Sequence, residues 1–323
     1  MAAPNRLHGV LVIDKPIGPT SHDIVARLRK VLNTRAIGHA GTLDPAATGV
    51  LVVAVGEATK LSSYLTAEDK EYRATVTFGA STATLDADGD VVATGPIPGD
   101  LIVELSYFGG AAPTARPENG TPLLARALDT ERARQEQLPP AFSAIKTGGR
   151  AAYELARRGK EVCLLPRPVT VSRLEITAAT PATVDLVLVV SKGYYVRALA
   201  RDLGETLGVP AHLSSLRRVA SGAFTLDEAL PWSASCAELE RAMQAVEHAA
   251  ARVLPVSRLT EEGQRRAGYG QLLLETHFVE PPVPAVSAWF GQSGELVAIG
   301  RPAESGGFTV ERGFTHATST AST

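Results

Sequence analysis

The sequence has few of the residues from which disulfide frameworks and metal sites are built. Among its 323 residues are two cysteines, Cys163 and Cys236, which lie far apart and outside any Cys-x-x-Cys spacing. A disulfide framework or a zinc site is therefore not expected, and a reducing cytoplasm is the natural compartment. The seven histidines are scattered without a His-x-x-x-His pair, so the sequence predicts no bound metal.

Long hydrophobic runs are also missing. The longest, Val50–Val55 and Val184–Val190, are far too short to cross a bilayer, and they instead predict buried strands. Residues 1–9 contain no apolar stretch of the signal-peptide kind. We therefore expect neither export nor a membrane-spanning segment.

The charge distribution is uneven, although the net charge is only −2. Residues 140–220 hold 12 Lys and Arg against 6 Asp and Glu, and residues 1–75 hold 9 against 7. The segments 76–139 and 221–323 are acidic. Clustered basic charge suits a phosphate backbone, but a solvated charged surface accounts for it equally well.

Hydrophobic periodicity predicts a mixed α and β protein. Gly9–Asp14, Val50–Val55, Tyr72–Phe78 and Val184–Val190 are predicted strands. Helices are predicted after a cap at Thr20 or Ser21, over Arg150–Arg158, and over Tyr195–Leu207 before Gly208 and Pro210. Residues 38–49 are predicted to be a loop, and the Gly- and Pro-rich residues 95–122 a long loop or insertion.

The same pattern suggests how the chain is divided. A first domain covers residues 1–230, with a variable insertion at about 95–138, and a helical connection covers 231–251. Residues 252–314, with short apolar runs between glycines and prolines, predict a small β-rich domain. The polar residues 315–323 predict a disordered tail.

A few polar residues stand out as candidates for chemistry. Asp44 lies in the loop Gly41-Thr-Leu-Asp-Pro, where Pro45 favours an extended backbone, yet Asp-Pro is also an ordinary turn pair. Arg197 and Arg201 are one helical turn apart. A buried arginine beside a carboxylate would lower the pKa of that carboxylate, whereas a surface pair is the simpler alternative. Tyr72 is either a stacking aromatic or a core residue, and His39 is either a functional or a structural imidazole.

Six segments, taken together, resemble the bacterial tRNA pseudouridine-55 synthase family. They occur in the family's order and cover most of residues 9–226, and residues 252–312 more weakly resemble its small RNA-binding PUA-type domain. The segments are Gly9-Val-Leu-Val-Ile-Asp-Lys-Pro-Ile-Gly-Pro-Thr-Ser-His, Gly38-His-Ala-Gly-Thr-Leu-Asp-Pro-Ala-Ala-Thr-Gly-Val-Leu, Lys70-Glu-Tyr, Pro139-Pro-Ala-Phe-Ser-Ala-Ile-Lys, Ser191-Lys-Gly-Tyr-Tyr-Val-Arg and Ala211-His-Leu-Ser-Ser-Leu-Arg-Arg.

The resemblance implies an α+β fold of the pseudouridine synthase type. This fold has a mixed, largely antiparallel sheet with flanking helices, and here a small C-terminal β-rich PUA-like domain follows it. Residues 1–230 would then be the catalytic domain and 252–314 the RNA-binding domain. The sequence departs from the family's usual Phe-x-Gly-like element before the double proline, and Ala83 replaces a common aspartate.

The resemblance also implies a role for each matching residue. Asp44 falls on the nucleophile, Arg197 on its arginine partner and Tyr72 on the aromatic residue that packs against the target base. His39 falls on the residue inserted into the RNA loop, while Lys15 of the opening segment has an expected structural role. Further substrate contacts are expected from Tyr195, Leu216, Lys146, Arg150 and Arg157.

The implied reaction isomerises uridine 55 in the tRNA T-stem-loop, and it needs no cofactor because nothing is oxidised and no group is added. We expect binding of tRNA without a guide RNA, since no long basic extension is present. We expect a monomer, since no long exposed apolar stripe stands out. Two alternatives remain open at this point. One is a non-catalytic tRNA-binding or tRNA-folding protein, and the other is a hydrolase that uses Asp44 as a general base.

Overall fold

The computed structural model of the chain describes residues 7–109, 122–147 and 149–314. The predicted disordered tail at 315–323 and most of the Gly- and Pro-rich stretch at 109–122 lie outside these residues.

The described residues form nineteen strands and nine α-helices. The strands are β1 (Gly9–Lys15), β2 (Ile37–Ala40), β3 (Thr48–Val55), β4 (Lys70–Phe78), β5 (Ala80–Thr82), β6 (Val91–Thr94), β7 (Glu136–Gln137), β8 (Lys146–Thr147), β9 (Arg150–Ala151), β10 (Arg167–Pro168), β11 (Val171–Thr180), β12 (Thr183–Val190), β13 (Ala211–Ser221), β14 (Phe224–Thr225), β15 (Leu230–Pro231), β16 (Val256–Arg258), β17 (Ser287–Phe290), β18 (Leu296–Pro302) and β19 (Phe308–Gly313). The helices are α1 (Ser21–Val31), α2 (Ser62–Ala67), α3 (Gly99–Phe108), α4 (Leu123–Arg132), α5 (Ala152–Ala156), α6 (Val196–Leu207), α7 (Cys236–Ala242), α8 (Val246–Val253) and α9 (Glu261–Gly268).

A large sheet forms the centre of the molecule. Its strands run in the order β11-β12-β4-β13-β3-β1-β15, with β2 paired to β3 and β14 paired to β13. Most neighbours are antiparallel, whereas β13 with β3 and β1 with β15 are parallel. A mixed, largely antiparallel sheet with flanking helices is the predicted fold class, which is confirmed.

Local sequence signals account for the elements that carry the site. Thr20 and Asp23 form a capping box at the start of α1, which provides hydrogen-bond acceptors for N–H groups that have no partner within the helix. Gly208 ends α6 in the left-handed conformation, with φ of 68°, as a glycine readily does. Along β4, the side chains of alternate residues from Lys70 to Phe78 are buried, as the period of two predicted.

Three predicted segments differ from the structure. Residues 99–108 of the predicted long loop form helix α3, because Leu101 and Leu105 lie one turn apart and are both fully buried. Glu104, between them, accepts hydrogen bonds from the first N–H groups of α4, a favourable place for a carboxylate.

The other two differences lie beside the predicted site. Part of the predicted loop at 38–49 is strand β2, which pairs with β3 and places His39 opposite Val53. The predicted helix at 150–158 is shortened to α5, because Arg150 pairs with Thr147 in a two-strand ribbon.

The small C-terminal sheet, β16-β17-β18-β19, packs against one face of the large sheet. Side chains on one face of β1 and β3, such as Val12 and Val52, share an apolar cluster with Phe290, Leu296 and Ile299. Side chains on the opposite face, such as Leu11 and Leu51, enter the main core. Strand β3 is therefore covered on both faces, which explains its continuous hydrophobic sequence. In the described ranges, no helix is long and apolar enough to span a membrane.

Candidate active site

The loop that carries Asp44 connects β2 to β3 and is anchored on both sides of the aspartate. Before it, the Leu43 N–H donates to Ser21 Oγ at 2.9 Å, and Ser21 donates back to the Leu43 carbonyl at 3.1 Å. After it, the buried Lys15 donates to the Pro45 carbonyl at 3.2 Å. The β1–α1 segment thus fixes the backbone of the Asp44 loop.

Lys15 is also bound to its own segment. Its Nζ donates to the carbonyls of Pro16 and Pro19 at 2.9 and 2.8 Å. Burial lowers the pKa of this amine to about 8, while the nearby Asp44 acts in the opposite direction. Three carbonyl partners are what a buried ammonium needs to remain charged.

The guanidinium of Arg197 is the centre of the candidate site. It is 5% exposed, and its Nη1 and Nη2 each donate at 2.9 Å, to the carbonyls of Thr84 and Phe142. Its Nε lies 2.9 Å from Asp44 Oδ2, although the N–H does not point along the direction of a regular hydrogen bond. The contact is therefore an ion pair held by a rigid backbone frame.

A second carboxylate, Asp86, also faces Arg197 and was missed by the sequence analysis. Its Oδ2 lies 3.6 Å from Arg197 Nε, while its Oδ1 accepts hydrogen bonds from the Thr84 hydroxyl and the Asp88 N–H. The sequence showed this segment only as an acidic turn. In the structure, the backbone marks this turn as unusual. Leu85, which precedes Asp86, has φ of 65°, a conformation that non-glycine residues rarely adopt.

The electrostatics of Asp44 differ from the expectation. Although 39% of its side chain is exposed, burial of the carboxyl raises the pKa of Asp44 above its ordinary value, and the nearby Asp86 raises it further. Arg197 opposes both effects. The predicted lowering by arginine is therefore present but outweighed by desolvation.

A small pocket lies beside the two carboxylates. It is lined by Asp44, Asp86 and Arg197, by Ala46 and Ala47, and by the β13 residues Leu213 to Leu216. Its volume is about 20 Å³, which is enough for a water molecule but not for a pyrimidine ring. The structure therefore brings Leu216 together with Asp44 and Arg197, and a base would enter only if the lining moves.

Tyr72 and Tyr195 lie on elements that border this pocket. Tyr72, on β4, is 8% exposed, and β4 pairs with β13 so that Leu216 is opposite Ala74. Tyr72 and Leu216 are thus diagonal neighbours on adjacent strands. Tyr195 is the N-cap residue of α6, and burial raises its pKa.

His39 and the predicted phosphate-binding residues lie further along the same segments. The His39 ring packs edge-on against His22, with 5.3 Å between centroids, and burial lowers its pKa. Lys146, Arg150 and Arg157 are exposed. They follow Phe142 in the chain, whose carbonyl binds Arg197. The second arginine, Arg201, pairs with Asp202.

Among the described residues, no group of three His, Cys, Asp or Glu side chains could hold a metal ion.

Comparison with solved structures defines the class of fold. One chain of a Cbf5–Nop10–Gar1 complex matches with a TM-score of 0.68 at 24% identity, covering 98% of this chain and 91% of that chain. A chain of an H/ACA RNP bound to a substrate RNA containing 2′-deoxyuridine matches with a TM-score of 0.65 at 24% identity, covering 95% and 85%. Together with the large mixed sheet and the small C-terminal sheet, these likenesses define a pseudouridine synthase fold.

Sequence comparison is more specific. The family model of the TruB family pseudouridylate synthase N-terminal domain matches residues 29–103 and 115–196, and that of the tRNA pseudouridylate synthase B C-terminal domain matches residues 197–259. The chain is 42% identical to the tRNA pseudouridine synthase B of Mycobacterium sp. (strain KMS), over 82% of this chain and 84% of that protein. It is 38% identical to the protein of that name from Arthrobacter sp. (strain FB24), over 94% of both. The chain belongs to the TruB family of pseudouridylate synthases.

The geometry predicts how the pKa of Asp44 responds to its neighbours. Replacing Asp86→Asn removes a repelling charge and should lower the pKa of Asp44, whereas Arg197→Met removes an attracting charge and should raise it. A ¹³C NMR titration of the aspartate carboxyls would measure both shifts. An Asp44 pKa that moves in neither variant would contradict the charge arrangement described here.

Proposed function

We propose that this protein isomerises uridine 55 in the T-stem-loop of tRNA to pseudouridine, with Asp44 as the nucleophile. The observation that carries the proposal is the 2.9 Å ion pair between Asp44 and the buried Arg197 at the edge of a pocket. Membership of the TruB family supports tRNA as the substrate, as does the word tRNA in the names of its relatives.

The reaction rearranges bonds within one nucleotide. The N1–C1′ bond breaks, the base turns, and a C5–C1′ bond forms, while C5 loses a proton and N1 gains one. Three routes remain possible for Asp44: attack on the sugar C1′, attack on the base C6, or removal of a sugar proton. A carboxylate performs any of them only when ionised, and Arg197 favours that form.

A uridine stacked in a folded loop must leave the stack before Asp44 can reach it, at a cost of a few kcal/mol. We assign Tyr72, Tyr195 and Leu216 to the pocket that receives the extruded base. Stacking on an aromatic ring would return about 1–3 kcal/mol per base. His39 would occupy the space that the base leaves in the RNA loop.

Contacts to the tRNA backbone would come from exposed basic residues, among which we include Lys146, Arg150 and Arg157. Such contacts position an RNA without reading its sequence. We further propose that the enzyme works in the cytoplasm as a monomer, without a cofactor, a metal or a guide RNA.

Replacing Asp44→Asn should abolish pseudouridine formation, because an amide keeps the shape of the side chain but cannot act as the nucleophile. The measurement is incubation of purified protein with an unmodified tRNA transcript, followed by mapping of pseudouridine. Wild-type protein should give product at position 55. The variant should give none, with its tRNA dissociation constant within about threefold of wild type, since binding energy comes mainly from the phosphates.

A matched control is Asp129→Asn, because Asp129 is a surface aspartate that also pairs with an arginine. It should leave product formation unchanged. Tight tRNA binding by a wild-type protein that makes no product would instead support the non-catalytic tRNA-binding alternative. Product formation by Asp44→Asn at the wild-type rate would remove Asp44 from the mechanism.

Two substitutions of Tyr72 should separate stacking from hydroxyl chemistry. If the ring stacks on the base, Tyr72→Phe should react faster than Tyr72→Leu by about 5- to 150-fold, the equivalent of 1–3 kcal/mol. Single-turnover rates at saturating enzyme would show the difference, with melting temperatures recorded because Tyr72 is buried. Equal loss in both variants would show that the hydroxyl group is required.

A further inference from the structure

A buried charge network lies outside the pocket, between α4 and α6. Glu131, at the end of α4, is 1% exposed. One of its oxygens accepts a hydrogen bond from the Tyr194 hydroxyl at 2.7 Å, and Arg134 contacts both oxygens at 2.7–2.8 Å. A carboxylate in such a place is costly unless it is fully paired, and Tyr194 and Arg134 provide that pairing.

The segment that follows α4 also binds Tyr195, the residue after Tyr194. Gln137, which is 1% exposed, accepts the Tyr195 N–H at 2.8 Å and donates to the Tyr195 carbonyl at 3.2 Å. Tyr195 is the N-cap residue of α6, and its own side chain makes no capping hydrogen bond. The amide of Gln137 therefore fixes the backbone at the start of α6.

The network also holds α6 further along its length. Arg134 Nη2 lies 3.3 Å from Asp202 Oδ2. Arg201 donates to Asp202 Oδ1 at 2.7 Å and to the Leu138 carbonyl at 3.0 Å. Residues 131–138 thus hold α6 both before and after Arg197.

Arg197 is sensitive to the position of this helix. Its two Nη atoms donate to backbone carbonyls, and its Nε lies 2.9 Å from Asp44 and 3.6 Å from Asp86, so a shift of α6 would change all four contacts. We propose that Glu131 and Tyr194 are positioning residues, which set α6 so that the Arg197 guanidinium meets Asp44. The inference rests on the proposed function. It assigns a role to the segment 131–138, for which the sequence analysis predicted none.

The test compares two tyrosines that each donate to a glutamate. Tyr194→Phe removes the bond to Glu131, and Tyr64→Phe removes the 2.8 Å bond between Tyr64 on α2 and Glu311 on β19. With unmodified tRNA and saturating enzyme, Tyr194→Phe should lower the single-turnover rate about ten- to a hundredfold, as small misplacements of reacting groups do. The tRNA dissociation constant should stay within about threefold, and Tyr64→Phe should react as wild type.

The pH dependence gives a readout that loss of stability alone would not move. Asp44 faces Arg197, Asp86 and Lys15; Arg197 and, to a smaller extent, Lys15 oppose the raised pKa of Asp44, whereas Asp86 adds to it. If α6 shifts in Tyr194→Phe, that opposition weakens, and the acidic limb of the rate profile should move to higher pH. The profile of Tyr64→Phe should stay in place.

Substitutions of Glu131 test the pair if Tyr194→Phe fails to fold. Glu131→Gln keeps an acceptor for the Tyr194 hydroxyl but replaces one oxygen that accepts from Arg134 by a donor, so it should be slowed less than Glu131→Leu, which should be as slow as Tyr194→Phe. The double variant Glu131→Leu with Tyr194→Phe should be no slower than either single variant, because residues in one network are not additive.

The outcomes separate the two proposals. A wild-type protein without pseudouridine synthase activity would overturn the proposed function and this inference together. An active wild type, with rates and pH profiles equal in Tyr194→Phe and Tyr64→Phe, would overturn the positioning role alone.

Discussion

One buried guanidinium facing two carboxylates is the interaction on which the candidate site depends. The Nε of Arg197 lies 2.9 Å from Asp44 Oδ2 and 3.6 Å from Asp86 Oδ2. Removing one partner from such a group leaves an uncompensated charge, which typically costs 3–5 kcal/mol. The backbone carbonyls of Thr84 and Phe142 bind the two other nitrogens of the guanidinium, so the protein's own backbone holds it in place.

The rest of the fold brings these groups to one place from distant parts of the chain. The β1–α1 segment anchors the Asp44 loop through Ser21 and Lys15. Strand β7, which follows α4, holds the start of α6 through Gln137, and β13 supplies Leu216 to the pocket wall. Burial raises the pKa of Asp44 while Arg197 opposes it. This balance keeps the Asp44 carboxyl ionisable beside a small pocket.

The sequence predicted much of this arrangement, for reasons that differ from residue to residue. Strand β3 and helix α6 follow from local patterns. The first is a continuous hydrophobic run, and the second ends at a glycine. The pairing of Asp44 with Arg197 came from the resemblance, since the local sequence alone favoured an ordinary turn and a surface arginine pair. The ion pair confirms the contact, while the catalytic role of each residue stays a prediction.

Other features could not be seen in the sequence because they depend on tertiary contacts. Asp86 looked like a turn residue until the fold placed it against Arg197. Helix α3 was hidden by the glycines and prolines around it, although Leu101 and Leu105 are buried one turn apart. Glu131 and Tyr194 are 63 residues apart in the chain, so no local pattern joins them.

The most direct test of the account is replacement of Arg197→Lys, which keeps the positive charge but removes the planar fork that two carbonyls and two carboxylates share. The measurement is the single-turnover rate on unmodified tRNA, with the tRNA dissociation constant in parallel. If the geometry of the guanidinium organises the site, the rate should fall about a hundredfold or more, while tRNA binding changes little. A lysine variant that reacts at close to the wild-type rate would show that charge alone suffices, and would contradict the account.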